Sequence, residues 1–307
     1  MSTDLTTVED VTVPASGLTE LDAGAQRVDV PARLYRPSSA DARAGSRGIV
    51  WVHGGGFVWG DLDMPEADWV ARRLSAAGHT VLSVDYRLVT GGDIDRRVFA
   101  DDAQHRFPAA HDDVRAALSW MAANAARLGF DPNAIALGGA SAGGNLAAGV
   151  ALRTARDPRG AAPARLVLAY PVAHAALPEL DPATASAVQG LDEAQRFRPE
   201  AVAAMNLNYV GDEALLTHPF AFPGGQDLTG MPPTLIVNSE ADDLRATGEA
   251  FARELEAAGI DTTCTYEPGT THGHLNRPEE PHAERSLTTI LDWLADGEHD
   301  DSRKDLS

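Results

Sequence analysis

Residues 133–147 read NAIALGGASAGGNLA. The apolar run NAIALGG (133–139) ends in glycine, and small residues carry the chain into a helix that begins near Ala142. A strand that turns at once into a helix is the unit from which parallel sheets are built, because parallel neighbours need a crossover between them. Other runs have the same form: RGIVWVH (47–53), TVLSVDY (80–86), RLVLAYP (165–171) and PTLIVNS (233–239) are short, apolar and closed by turn or polar residues. Between TVLSVDY and NAIALGG, Val114, Leu118, Met121, Ala125 and Leu128 recur at helical spacing and mark an amphipathic helix. RATGEAFARELEAAG (245–259) reads as another helix, stopped by Gly259, and SLTTILDWLA (286–295) as the last. The alternation predicts an α/β chain with a mostly parallel central sheet and helices on both faces.

No repeat or low-complexity linker divides the chain, so residues 1–307 are expected as one domain, with 296–307 as a flexible tail. A formal charge of −20 argues against nucleic acid and anionic membranes as partners. No stretch is long and apolar enough for a membrane-spanning helix. The start, MSTDLTTVEDVTV, lacks the basic and apolar regions of a signal peptide, so a cytoplasmic location is expected. The single cysteine, Cys264 in the strand-like TTCTY, has no internal disulfide partner and is expected as a buried thiol.

Two segments interrupt the alternation. Residues 174–218 carry prolines, a weak helical stretch near 199–210 and no clear strand, while residues 89–107 form a polar, charged connection. Long connections in a compact domain commonly serve as lids or binding loops.

The turn in the opening stretch carries one hydroxyl, Ser141, at its apex. A tight strand-to-helix turn lifts that Oγ above the sheet, and Gly139 and Gly143 remove side chains that would collide. The helix N-terminus behind it offers free N–H groups and the positive end of a dipole. The spacing G-x-S-x-G is weak evidence alone, since a free hydroxyl is a poor nucleophile and needs a base with an orienting acid. Downstream, Asp242 follows PTLIVNS and His272 follows TTCTY. Side chains at the carboxyl ends of parallel strands collect in one crevice, and Ser…Asp…His is a known chain order for a hydrolytic triad. Asp243 or Glu240 as the acid, and His274 as the base, stay open at this level. Upstream, HGGGF (53–57) directly follows a strand, and its glycines allow backbone N–H groups to approach a developing oxyanion together with that of Ala142. No Gly-Lys-Ser/Thr follows the glycines and no G-x-G-x-x-G occurs, which disfavours a phosphate loop. His53 is expected to hold the glycine turn through backbone hydrogen bonds. The histidines show no HExxH or comparable cluster, so no metal and no organic cofactor is expected.

HGGGFVWGD (53–61), DYRL (85–88), FPAAHDD (107–113), GASAGGNLA (139–147), MPPTLIVNSEADDLR (231–245) and THGHLN (271–276) occur in the order found in bacterial esterases related to hormone-sensitive lipase, a family the chain resembles over roughly residues 30–295. The resemblance implies an α/β-hydrolase fold with a small helical cap. The cap is expected mainly from 174–218, with contributions from 1–30 and the loop 89–107 left open. It implies a small-molecule ester substrate of short to medium acyl chain, and dimerisation is common in the family. The family's roles fall on Ser141 as nucleophile, His272 as general base and acid, Asp242 as its partner, and Gly55, Gly56 and Ala142 as oxyanion donors. Amide or formamide hydrolysis on the same triad is the alternative reaction, and a ligand-binding protein on a retired scaffold the alternative class. The chain departs from the family at Ala140, where Asp or Thr is usual, in the early position of HGGG, in the long link after DYRL, and at His274, where an apolar ring often packs.

Overall fold

The computed structural model describes residues 6–15, 28–38, 46–91, 103–157 and 160–296. The short apolar runs become the centre of an eight-stranded sheet of order β1-β2-β4-β3-β5-β6-β7-β8. The opening stretch supplies β5 (Ala136–Ala140), the runs upstream of it supply β3 (Gly48–Val52) and β4 (Thr80–Val84), and those downstream supply β6 (Arg165–Ala169), β7 (Thr234–Ala241) and β8 (Thr262–Thr271). All six are parallel to their neighbours within this set. β1 (Thr7–Ala15) and β2 (Val28–Arg36) add an antiparallel edge that the sequence reading did not identify. Their polar-apolar alternation fits a strand pair at the sheet margin, with Val30, Ala32 and Leu34 buried and Asp29, Pro31 and Arg33 turned out or half-buried.

Alternation along the central strands divides the interior into two layers. Val50, Val52, Leu82, Leu137, Leu166 and Ile236 point into one layer, which is completed by α2 (Ala109–Leu128), α3 (Ala142–Arg156) and α6 (Arg245–Ala257). Ile49, Trp51, Val81, Ala136, Ala140, Val167 and Leu235 point into the other, against α1 (Pro65–Ala76) and α7 (Pro281–Asp296). Period-2 side-chain direction is what lets each strand feed both cores. At the exit of β4, Arg87 donates to both carboxylate oxygens of Asp113 on α2, tying the DYRL segment to the helix.

Residues 174–218 contain no strand. They hold α4 (Pro182–Ala187), α5 (Pro199–Val210) and three short 3-10 turns. Asp181 caps α4 by accepting from Ala183 N–H at 2.8 Å, and Gly211 at φ 73° ends α5. The ends of the 89–107 link meet where Thr90 N–H donates to Gln104 O at 3.2 Å. Its centre, residues 92–102, lies outside the described residues, as do most of 1–30 and the tail beyond 296. Among the described residues no helix is long and apolar enough to cross a membrane.

Cys264 differs from expectation. It is exposed on β8, which takes the outer position in the sheet, and its Sγ accepts from Asn238 Nδ2 at 3.5 Å. An edge strand lacks a neighbour on one side, so an apolar residue within it is not necessarily covered.

α3 presses its first turn against the end of β3. A Cβ on Gly143 would stand 2.2 Å from Val52 O and 2.3 Å from His53 O, both rigid backbone atoms. Gly143→Ala is therefore expected to force these elements apart and to cost about 1–3 kcal/mol of stability, as overpacked cores do. Urea denaturation of the two proteins checks this; an unchanged midpoint would contradict it.

Candidate active site

The turn between β5 and α3 holds Ser141 at φ 53° and ψ −118°, a backbone conformation that side-chain-bearing residues rarely adopt. Ser141 N–H is secured by Ala169 O at 2.9 Å. The residue remains 8% exposed, at the carboxyl ends of the parallel strands. Its Oγ lies 2.9 Å from His272 Nε2, and His272 Nδ1 lies 2.6 Å from Asp242 Oδ2. Asp242 accepts on Oδ1 from Leu244 N–H at 2.9 Å and is buried. With the carboxylate accepting from Nδ1–H, the Nε2 lone pair is free to accept the Ser141 hydroxyl proton. The structure thus brings together Ser141, His272 and Asp242 from three separate loops.

The alternatives left open by the sequence are engaged elsewhere. Asp243 accepts bidentately from Arg196 Nε and Nη2 at 2.8 and 2.7 Å, and from Phe197 N–H at 2.9 Å. That clamp fixes the segment carrying Phe197, whose ring sits 4.4 Å from the His272 ring. Glu240 accepts on Oε2 from Gly269 N–H at 2.7 Å. His274 is fully buried between two hydroxyls, Ser239 Oγ at 2.9 Å from Nδ1 and Ser286 Oγ at 2.8 Å from Nε2. This explains how an imidazole occupies a place where an apolar ring is common: a neutral ring with one donor and one acceptor is satisfied by a serine on each side.

The glycine loop bends sharply. Gly55, Gly56, Phe57 and Gly60 all have positive φ, and Gly55 O accepts from both Val58 N–H and Trp59 N–H at 3.1 Å. His53 is buried, with Nδ1 at 2.8 Å from Gly54 O and its ring stacked 4.5 Å from Tyr86. Tyr86 donates its hydroxyl to the loop, 3.0 Å from Gly54 O. Burial holds His53 below the usual histidine range, and because a carbonyl oxygen only accepts, Nδ1 meets it as an N–H donor. Gly54 N–H is already taken by Glu66 Oε1 at 2.6 Å. Gly55 and Gly56 have no N–H partner among the described residues, and Ala142 opens α3, where helix N–H groups lack intrahelical acceptors. The N–H groups of Gly55, Gly56 and Ala142 are thus open to an outside acceptor.

Phe57 stacks on Tyr209 of α5 at 3.9 Å, and both rings are buried, so they pack rather than line an open pocket. Trp59 is 53% exposed next to the loop. The sequence reading missed Glu66 and Tyr170, whose hydroxyl donates to Glu66 Oε2 at 2.9 Å and whose ring lies 4.9 Å from His272. A signal existed for the first: Glu66 falls on the apolar stripe of α1 with Val70 and Leu74, at i, i+4 and i+8. Nothing in RLVLAYP distinguished Tyr170 from ordinary packing.

A family model described as the alpha/beta hydrolase fold matches residues 49–276. Carboxylesterase NlhH of Mycobacterium tuberculosis is 35% identical over 272 residues, covering 88% of this chain and 76% of that protein. Ethyl acetate hydrolase of Pseudomonas putida is 32% identical over 245 residues, covering 79% and 70%. Among solved structures, the thermostable carboxylesterase EstE1, cloned from a metagenomic library, superposes with a TM-score of 0.77 at 31% identity, over 95% of this chain and 89% of that one.

Two expectations follow from the buried polar groups. The Arg196 and Asp243 side chains are 8% and 2% exposed, so Asp243→Ala strands a buried guanidinium; unfolding in urea is expected about 3 kcal/mol easier. Burial, reinforced by the Arg277 charge, lowers the His274 pKa to about 3 from 6.5. The unfolded chain therefore takes up this proton at higher pH than the folded one, so the group's stabilisation is complete above about pH 6.5 and lost as pH falls toward 3. His274→Gln is expected to flatten the unfolding free energy between about pH 6 and 4 by roughly 1.4 kcal/mol per unit, read from urea titrations across that range.

Proposed function

The chain belongs to the α/β-hydrolase fold family, on its branch of esterases similar to hormone-sensitive lipase, and is a carboxylic ester hydrolase; we propose that it acts through an acyl-enzyme on Ser141, on esters of short to medium acyl chain. The observation that carries this reading is the continuous relay of Ser141 Oγ, His272 Nε2, His272 Nδ1 and Asp242 Oδ2, with links of 2.9 and 2.6 Å.

His272 Nε2 takes the hydroxyl proton as Ser141 Oγ attacks the ester carbonyl carbon. The carbonyl π electrons move onto oxygen, and that oxyanion lies against the N–H groups of Gly55, Gly56 and Ala142. Each such donor typically lowers the barrier by about 3 kcal/mol, because it is already aimed where charge appears. Collapse of the tetrahedral species breaks the bond to the alkoxy oxygen, which leaves as alcohol with the proton from Nε2. Water then enters, gives its proton to the same nitrogen and attacks the acyl carbon; the second collapse returns the proton to Ser141 Oγ and releases the acid. Asp242 keeps Nδ1–H in place, so the attacking tautomer is fixed, and its charge stabilises the imidazolium formed in each half-reaction.

Residues 174–218 act as the cap over this site. Phe197 brings an apolar ring against His272, and the Asp243 clamp holds it there. An apolar ring this close to His272 leaves less room for a long chain than for small acyl and alcohol groups.

Ser141→Ala is expected to lower hydrolysis of p-nitrophenyl acetate by at least about 10⁴-fold, and Asp242→Asn by about 10⁴-fold. Mass spectrometry of acid-quenched enzyme should find the acyl group on the peptide containing Ser141. Wild-type turnover by Ser141→Ala would end the proposal. An acyl series from acetyl to dodecanoyl should fall off at its long members; a rising rate would remove the chain-length part.

A further inference from the structure

Glu66 is a carboxyl that the proposed chemistry leaves without a task. It is 2% exposed and lies in the apolar layer formed by α1, α7 and one face of the sheet. A carboxyl in such a place is costly to bury unless its oxygens are satisfied. Burial pushes it above the usual carboxylate range, against the opposing pull of the Tyr170 hydroxyl and the Gly54 N–H.

Those two donors sit on the two halves of the candidate site. Oε1 accepts from Gly54 N–H at 2.6 Å, one residue before the free N–H groups of Gly55 and Gly56. The fit there is close: a Cβ on Gly54 would stand 2.6 Å from Glu66 Oε1 and 3.1 Å from Ser141 Cβ. Oε2 accepts from the Tyr170 hydroxyl at 2.9 Å. Tyr170 has φ 37°, its N–H donates to Val237 O at 2.8 Å, and its ring meets the His272 ring edge-on at 4.9 Å. One carboxyl thus grips the oxyanion loop with one oxygen and the ring against His272 with the other. α1 is itself tied to the histidine loop, since Glu66 N–H donates to Asn276 Oδ1 at 3.2 Å.

β5 points Ala140 into the same layer, in one cluster with Tyr170. The residue before Ser141 therefore brings only a methyl to the face where the family usually carries Asp or Thr.

We propose that Glu66 is a positioning residue for the hydrolytic site: reaching in from α1, it aligns the Gly55–Gly56 donors and the His272 ring, and it supplies the polar anchor that Ala140 does not. The inference rests on the triad reading above. Substrate does not touch Glu66, so its effect falls on the transition state and not on ground-state binding.

The test is steady-state hydrolysis of p-nitrophenyl acetate, with kcat expressed per site titrated by a fluorophosphonate, so that misfolded protein is not counted. Glu66→Ala is expected to lower kcat by about 30- to 100-fold with KM changed by less than about threefold, the size of effect that follows small misplacements of reacting groups. Glu66→Gln keeps an acceptor for Gly54 N–H and is expected to retain kcat within about fivefold of wild type. Adding Ala140→Asp to Glu66→Ala is expected to recover part of the loss. Wild-type kcat per site in Glu66→Ala, or a loss expressed wholly in KM, overturns the inference, and a folded double variant with no recovery overturns the exchange between positions 140 and 66. If Glu66→Ala does not fold, Glu66→Asp replaces it: its shorter carboxyl cannot span both partners and should lose more kcat than Glu66→Gln, the opposite order being fatal to the proposal. A Ser141→Ala variant as active as wild type marks failure of the triad reading, whereas an inactive Ser141→Ala beside a fully active Glu66→Ala marks failure of the Glu66 inference alone.

Discussion

The close approach of α3 to the end of β3 is the constraint on which the site depends. Gly143 lies so near Val52 O and His53 O that no side chain fits between them, and Gly139 faces Gly143 O with the same absence of room. Because the two backbones meet, the glycine loop that leaves β3 begins beside the turn that carries Ser141. The positive φ of Ser141 belongs to the same constraint, since the chain must reverse within one residue to start α3 where it does. A strained backbone persists only where its surroundings over-determine it. Here they do, through Ala169 O on the Ser141 N–H and through the packed first turn of α3.

Two adjacent aspartates divide the work at the end of β7. Asp242 turns to His272, and Asp243 turns to Arg196 and Phe197 in the segment above it. Side chains of successive residues diverge, so one turn of chain can hold both the histidine and the segment that carries Phe197. Residues 174–218 are thereby tied to the same strand end that carries Asp242. A further tie of this segment is the stack of Phe57 on Tyr209, which joins α5 to the glycine loop.

The layer beneath the site is apolar in outline yet contains Glu66, Tyr170 and His274. Each is placed so that its polar atoms meet one another or a neighbouring hydroxyl or backbone group: Glu66 with Tyr170 and Gly54, His274 with Ser239 and Ser286. A fully satisfied network of this sort costs little and fixes one arrangement, where an apolar core would tolerate several. The rings of Tyr170 and His274 pack edge-on at 5.1 Å, which connects the two halves of the network under His272.

Much of this was written in local sequence. Short apolar runs closed by glycine or polar residues read as parallel strands because helical patterns alternate with them, and the spacing of Val114, Leu118 and Met121 specifies a helix face of period 3.6. That Ser141, His272 and Asp242 would meet was legible for a related reason: each stands just past a strand, and parallel strands deliver their ends to one crevice. β1 and β2 were not legible, since half-polar strands at a sheet edge resemble polar connections until the partner strand is known. Only the tertiary structure decided between Asp242 and Asp243, neighbours of identical chemistry that differ in which distant side chain each meets, His272 or Arg196. It alone disclosed that Cys264 lies at an exposed edge, and that Glu66 reaches Gly54 and Tyr170 from a helix of its own. Periodicity fixes the direction in which a side chain leaves its own element; what it meets there depends on packing between elements far apart in the chain.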